Sequence, residues 1–299
     1  MKNIIAVAVI VLLGIAGAYD PIPEICELRT IRMCTALITG ASLALAGTIF
    51  QAVLRNPLAD PYILGISGGA SVGVILIYLA GWHTLGFFAV PAGAFTGAIV
   101  LFILVLCISR NNNLLLSGVI AGTVAGSILM YLLSIAQVDE LAGLTWWMLG
   151  DLQAADTGML LFAGIFLAAA ALFLTRAASL IDALSLGNER AYYLGLSPAV
   201  LSIVLISVGT LLAANTIALA GIIGFCGLVV PHAARKIFGA GHRKMLLPAT
   251  LWGGAFLMTC DILSRAVPGA AEIPIGVVTS LIGGPLFLVM LNRRRNDHA

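Results

Sequence analysis

Ionisable residues are sparse in this 299-residue chain, and the one long polar passage between its two strongly apolar halves runs from Arg176 to Pro198, carrying Arg176, Asp182, Glu189 and Arg190. Such a passage is where the protein meets something in water. Its expected form is a short helical elbow that receives force from a separate cytoplasmic engine. Nothing around it has the spacing of a catalytic centre: acids are scattered through loops, and neither a G-x-S-x-G elbow nor an H-E-x-x-H helix occurs. Five cysteines, Cys26, Cys34, Cys107, Cys226 and Cys260, lack C-x-x-C spacing and read as packing residues. His232 stands beside Pro231 without Cys, Asp or Glu at ligand spacing, so no metal site is expected there.

The elements that must position the elbow are membrane helices. With 61% hydrophobic and 9% charged residues and a mean hydropathy of +1.10, the charges belong at membrane faces or in a protein-lined cavity. A helix crosses the hydrocarbon with about 20 apolar residues. Uncharged runs give spans at Ile4 to Ala18 and Met33 to Leu54, two within Pro61 to Ser109 broken near Gly81 to His83, then Asn111 to Val138 and Thr157 to Thr175. Two more lie within Ala191 to Ala234, broken near Asn215, followed by Met245 to Cys260 and Ile273 to Asn292. Ten spans put both termini on one side. Lys2, an apolar run and Ala16-Gly17-Ala18 also fit a cleavable secretory signal, but the charge pattern balances with the first span retained. With both ends inside, Lys2, Arg55, Arg110, Arg176, Arg190, Arg235, Lys236, Arg243, Lys244 and Arg293 to Arg295 all fall on the cytoplasmic side. Only Arg29, Arg32 and Arg265 fall outside. A formal net charge of +2 gives no reason to expect nucleic acid.

Arg29 and Arg32, three apart at the mouth of the second span, either snorkel to the interface or dock a partner. The second span is dense in Gly, Ala, Ser and Thr, which let backbones approach in lipid, and is expected to be central. It ends in Arg55-Asn56-Pro57-Leu58-Ala59-Asp60-Pro61, a turn that is either a tight connection or a constriction on a pathway. Gly65 to Ser71 reads as close helix packing rather than a phosphate loop, and Leu141 to Gly150, with Trp146 and Trp147, as a segment at the interface. A faint echo pairs Ala44 to Gly47, ten positions before Pro57, with Ala218 to Gly221, ten before Pro231. Intramembrane carboxylates are almost absent, which weighs against an ion-coupled secondary carrier and against a membrane-embedded enzyme. Energy for transport should therefore come from another subunit.

The turn RNPLADP, the loop LSLGNERAYYLGL, the run ALAGIIGFCGLVVPHAAR and the closing AAEIPIGVVTSLIGGP together resemble the FecCD-type permeases, the membrane subunits of ATP-driven importers for cobalamin, ferric siderophores and haem, with molybdate-type members as well. The resemblance covers essentially the whole chain. It implies an all-α polytopic membrane protein, one permease domain over 1–299 with ten transmembrane helices like a cobalamin-importer permease, working as a homodimer in the cytoplasmic membrane. Two cytoplasmic ATPase subunits would lie beneath and a periplasmic or lipid-anchored binding protein above. No cofactor would bind this chain, and ATP and Mg would sit on the ATPase. Carried over by position, the ATPase-contacting elbow falls on Leu184 to Leu196, with Leu184, Ser185, Leu186, Gly187, Glu189, Arg190 and Gly195 at motif positions. Cytoplasmic gate positions fall on Asn56, Leu58, Asn111 and Asn112, the last two replacing small hydroxyl residues of the cobalamin member. Binding-protein docking falls on Arg29, Arg32 and Arg265. The chain departs from the family in a short first span and a clipped outer loop.

Overall fold

The computed structural model describes residues 2–19, 22–86, 88–109, 114–153, 156–266 and 272–296, and every regular element among them is helical. In order these are α1 (Lys2–Ala18), α2 (Pro23–Val53), α3 (Ile66–Leu79), a 3-10 turn (Trp82–Leu85), α4 (Ala89–Ile108), α5 (Leu114–Ile135) and α6 (Val138–Met148). There follow α7 (Thr157–Arg176), α8 (Ala178–Ser185), α9 (Asn188–Tyr193), α10 (Pro198–Ala220), α11 (Cys226–Phe238), α12 (His242–Arg265) and α13 (Ile275–Asn296). The ten apolar runs of the sequence reappear as α1, α2, α3, α4, α5, α7, α10, α11, α12 and α13. Six of these, α2, α4, α5, α7, α10 and α12, are long and apolar enough to cross a membrane alone.

Burial sorts these helices into a centre and a rim. The apolar window of α2 is 83% buried, whereas those of α5 and α7 are only 17% buried. With no hydrophobic gain between helices in lipid, close backbone packing must hold the centre. Glycines permit it. A side chain at Gly40 of α2 would run into the Gly253 carbonyl of α12, and one at Gly47 would run into the Gly227 carbonyl of α11. Gly69 and Gly73 of α3 meet Gly97 and Gly93 of α4 in the same way, so the Gly65 to Ser71 stretch does pack helices.

Two boundaries and one internal echo differ from the sequence expectation. Helix α2 starts at Pro23, ten residues before the predicted span, because Pro at its first position and Glu24 in its first turn suit a helix start. Arg29 and Arg32, expected at the mouth of the span, therefore lie within α2 itself. The break expected near Asn215 lies instead at 221–225: Asn215 is buried inside a continuous α10, and Gly221 and Phe225 both take positive φ. The echoed Ala-Leu-Ala-Gly motifs are not equivalent, since Gly47 lies inside α2 while Gly221 ends α10.

Two of the membrane helices are too short to span. At 1.5 Å per residue, the 14 residues of α3 and 13 of α11 reach about 20 Å, against about 30 Å of hydrocarbon. Non-helical backbone, 54–65 before α3 and 221–225 before α11, makes up the difference. Such backbone survives at membrane depth only inside protein, and 54–65 is covered by the start of α11: a side chain at Gly227 would strike the Pro61 ring, and Gln51 Nε2 at the end of α2 donates to the Leu228 carbonyl at 3.2 Å. Helix α6 closes the opposite side. Its Leu144 is fully buried, the Leu149 carbonyl accepts from Gly276 N–H at 3.0 Å, and Asp151 N–H takes the free Ala220 carbonyl at 2.9 Å.

Candidate functional site

The polar passage folds as two short helices. Helix α8 is amphipathic, burying Ala178, Ile181, Ala183 and Leu184. Ile181 and Leu184 enter the main apolar core with Ile49 and Val53 of α2 and Leu246 of α12. Leu184 is therefore a packing residue of the elbow, and Ser185 turns its hydroxyl back to the Asp182 carbonyl at 2.7 Å. Gly187, at φ 126° and ψ 151°, makes the corner into α9 in a conformation open essentially to glycine alone. Gly195 closes the elbow at φ 77°.

The outward face consists of Leu186, Glu189, Arg190, Tyr192, Tyr193 and Leu194. Tyr193 is 85% exposed, and Tyr192 meets it edge to face. An exposed patch that mixes aromatic, aliphatic and charged groups fits a protein partner. The sequence reading missed Tyr192, Tyr193 and Leu194; their signal was three large apolar residues in a polar passage.

Two polar contacts bind the elbow to the membrane helices. Arg55, held at φ 49° after α2, hydrogen-bonds the Asn188 side chain at the first position of α9. Asp182 of α8 accepts twice from His242 at the start of α12, from its backbone N–H at 3.0 Å and its Nδ1 at 2.6 Å. The first contact ties the elbow to the RNPLADP turn. There Asn56 Oδ1 accepts from Leu58 N–H at 2.9 Å, so Asn56 shapes the turn while Leu58 projects outward, 47% exposed. Asp60 similarly accepts from Tyr62 N–H at 2.9 Å. Asn111 and Asn112 lie outside the described residues; flanking Ser109 and Leu114 line a cleft of about 690 Å³ with Asn188, Glu189 and Tyr192.

At the other end of the helices, the three arginines assigned to docking do not share one role. Arg32 is turned inward: Nε meets Asp261 at 2.5 Å, Nη1 meets Glu272 at 2.5 Å and Nη2 meets Ser264 Oγ at 3.3 Å. Arg265 bonds the same Asp261 at 2.8 Å and the Gly17 carbonyl of α1 at 3.2 Å. Asp261 is wholly buried, and the side chains of Arg32 and Arg265 are 9% and 14% exposed. Both side chains are thus engaged within this chain, with Asp261, Glu272, Ser264 and the Gly17 carbonyl as partners. Arg29, half-buried, donates to the Tyr19 carbonyl at 3.0 Å. The physical reason is local: four residues apart on α12, Asp261 and Arg265 share a face, and that face meets Arg32 of α2.

Glu272 completes this cluster with Gln153, whose amide donates to it at 2.6 Å. Burial by itself raises the Glu272 carboxyl, but the bonded Arg32 guanidinium outweighs that, helped by Gln153, and holds it below the ordinary carboxylate value. His83 stacks on Tyr78 with centroids 4.9 Å apart, a packing role.

Against known proteins, residues 4–293 match the FecCD transport family. The chain is 35% identical to the hemin transport system permease protein HmuU of Yersinia pestis over 91% of its own length and 84% of that protein's. It is 37% identical to the vitamin B12 import system permease protein BtuC of Photorhabdus laumondii, over 90% and 82%. A solved structure described as an inward-facing conformation of a metal-chelate type ABC transporter superposes with a TM-score of 0.89, at 27% identity, covering 96% of this chain and 97% of the other.

Proposed function

The chain belongs to the FecCD transport family and is the membrane-spanning permease subunit of an ATP-binding-cassette importer, and from that premise we propose that it carries a metal chelate of the haem, cobalamin or ferric-siderophore class. The permease is non-enzymatic, and ATP hydrolysis belongs to a separate subunit. In this proposal two copies of the chain enclose the pathway in the cytoplasmic membrane, with both termini and the elbow in the cytoplasm. Two ATPase subunits, which hold ATP and Mg, engage the elbows. A periplasmic or lipid-anchored protein brings the cargo, and Arg29 is the outer arginine that reaches it.

The observation that carries the reading is the elbow. Its inner face is fastened into the core by Ile181 and Leu184, and its outer face offers Leu186, Glu189, Arg190 and Tyr193 to a partner. A force applied there reaches the RNPLADP turn through Asn188 and Arg55. In the proposed cycle this turn is a gate, with Leu58 as its exposed apolar tip and Asn56 fixing its shape; Asn111 and Asn112 take the facing position. Alternating access is then a two-state equilibrium biased by nucleotide on a neighbouring subunit.

The test is reconstitution of the permease with its ATPase in vesicles. Replacing Glu189 and Arg190 together by Ala is expected to lower cargo-stimulated ATP hydrolysis by about tenfold, a coupling loss within the usual 1–3 kcal/mol. Uptake driven by an ion gradient without ATPase would overturn the reading, as would labelling of a cysteine at position 189 only from outside intact cells.

A further inference from the structure

We propose that Asp182 is a positioning residue that clamps the elbow to α12, so that α8 and α12 move as one body and the elbow drives the α2–α12 pair. The proposal rests on the reading of the elbow as the ATPase contact, and it adds the route by which motion leaves it.

Three observations carry it. The first is the pair of hydrogen bonds at His242: its backbone N–H and Nδ1 converge on the same carboxylate oxygen of Asp182. The first turn of a helix has free N–H groups, and an acceptor placed there from another element holds the helix by its end. The His242 side chain is 2% exposed and its Nε2 has no hydrogen-bond partner, so among the described residues the ring's polar hold comes from α8. Next, Leu246 one turn further along α12 lies in the same apolar core as Ile181 and Leu184, so α8 grips α12 by packing as well as by charge.

The last is what α12 does beyond the clamp. At Gly253 it crosses α2 so closely that a side chain at either Gly40 or Gly253 would collide with the other's carbonyl. Interfaces packed this tightly have discrete arrangements and do not slide continuously. Beyond the crossing, Asp261 and Arg265 join α12 to Arg32 of α2 and to the end of α1. A displacement delivered at His242 is therefore passed to both helices together, pivoting on the buried ion cluster at the far end. The Arg55–Asn188 contact gives the elbow a separate hold on the gate turn at the end of α2. One elbow thus acts on α2 and α12 at the same end.

The experiment uses the assembled permease and ATPase in vesicles, reading uptake and ATP hydrolysis together. Asp182→Ala is expected to leave ATP hydrolysis running while uptake falls, raising the ATP used per cargo by about tenfold. Asp182→Asn, which keeps an acceptor oxygen, is expected to restore the ratio. A second arm joins Asp182→Cys to His242→Cys with a short thiol-specific cross-linker, with each single variant as control. Uptake is expected to survive the cross-link if the two elements move together. A cross-link that stops uptake until it is cleaved overturns the proposal, and so does an Asp182→Ala ratio equal to the unsubstituted protein's. If Asp182→Ala does not assemble, the cross-link and Asp182→Asn decide. Failure of the elbow reading itself is distinct, because replacing Glu189 and Arg190 together by Ala would then leave cargo-stimulated ATP hydrolysis unchanged.

Discussion

At its Arg265 end α12 is tied by a buried cluster in which one fully buried carboxylate serves two arginines from two helices, whereas at its His242 end it is tied by one carboxylate that is 40% exposed. Charge removed from water is costly and becomes rigid only when fully paired, while a half-exposed bridge contributes little to stability. The lesson is a division of labour along one helix. The Arg265 end is built to stay, and the His242 end is built to be reached.

The sharpest way to break this contrast is Asp261→Ala, which would leave Arg32 and Arg265 buried without their shared partner. It is expected to destabilise the permease by about 3–5 kcal/mol, read as thermal unfolding of the detergent-purified protein. A shift no larger than that of an exposed pair would remove the anchor. Gly253→Val should come next, since the added side chain must push α12 off the Gly40 carbonyl, at about 1–3 kcal/mol in the same assay. Unchanged stability there would mean that the two helices separate freely.

Asp182→Ala should have a much smaller effect on unfolding, below about 1 kcal/mol, despite its large expected effect on coupling. A loss as large as that of Asp261→Ala would make both ends alike and erase the contrast. Smallest is Glu272→Gln, also below about 1 kcal/mol because that carboxylate is half in water. Its pH dependence has a definite sign. With its carboxyl held below the ordinary value in the folded protein, Glu272 contributes stability above the ordinary range and loses it as pH falls through its folded value. The difference between the native protein and Glu272→Gln should thus be constant at neutral pH and vanish in acid. A difference that grows in acid would contradict the Arg32 pairing.

Most of the architecture is legible in the residues, because lipid imposes a single strong rule: backbone polar groups must be satisfied within helices wherever they face hydrocarbon. That rule turns charge-free runs into spans, and Gly40, Gly47 and Gly253 into close crossings. It fails where protein replaces lipid as the surroundings. The break at 221–225 was misplaced to Asn215 because a buried amide and a buried glycine turn look alike in an apolar run; only the packing of 54–65 against α11 decides which one interrupts the helix.

The site divides in the same manner. Elbow residues Glu189 and Arg190 could be picked out because a polar passage between spans is conspicuous, Gly187 only through the family resemblance, and the charge segregation between the two ends needed only counting. The inward turn of Arg32 and Arg265 could not be, since Asp261 stands 229 residues from Arg32 and no local spacing relates them. Nor could the Asp182–His242 clamp, whose members stand 60 positions apart. Sequence alone determined which segments enter the membrane and which stretch meets water, because transfer to lipid depends on composition over some twenty residues. Tertiary structure decided which charges are free to meet a partner and which are consumed holding helices together, because pairing depends on angstrom distances between segments that the chain order leaves far apart.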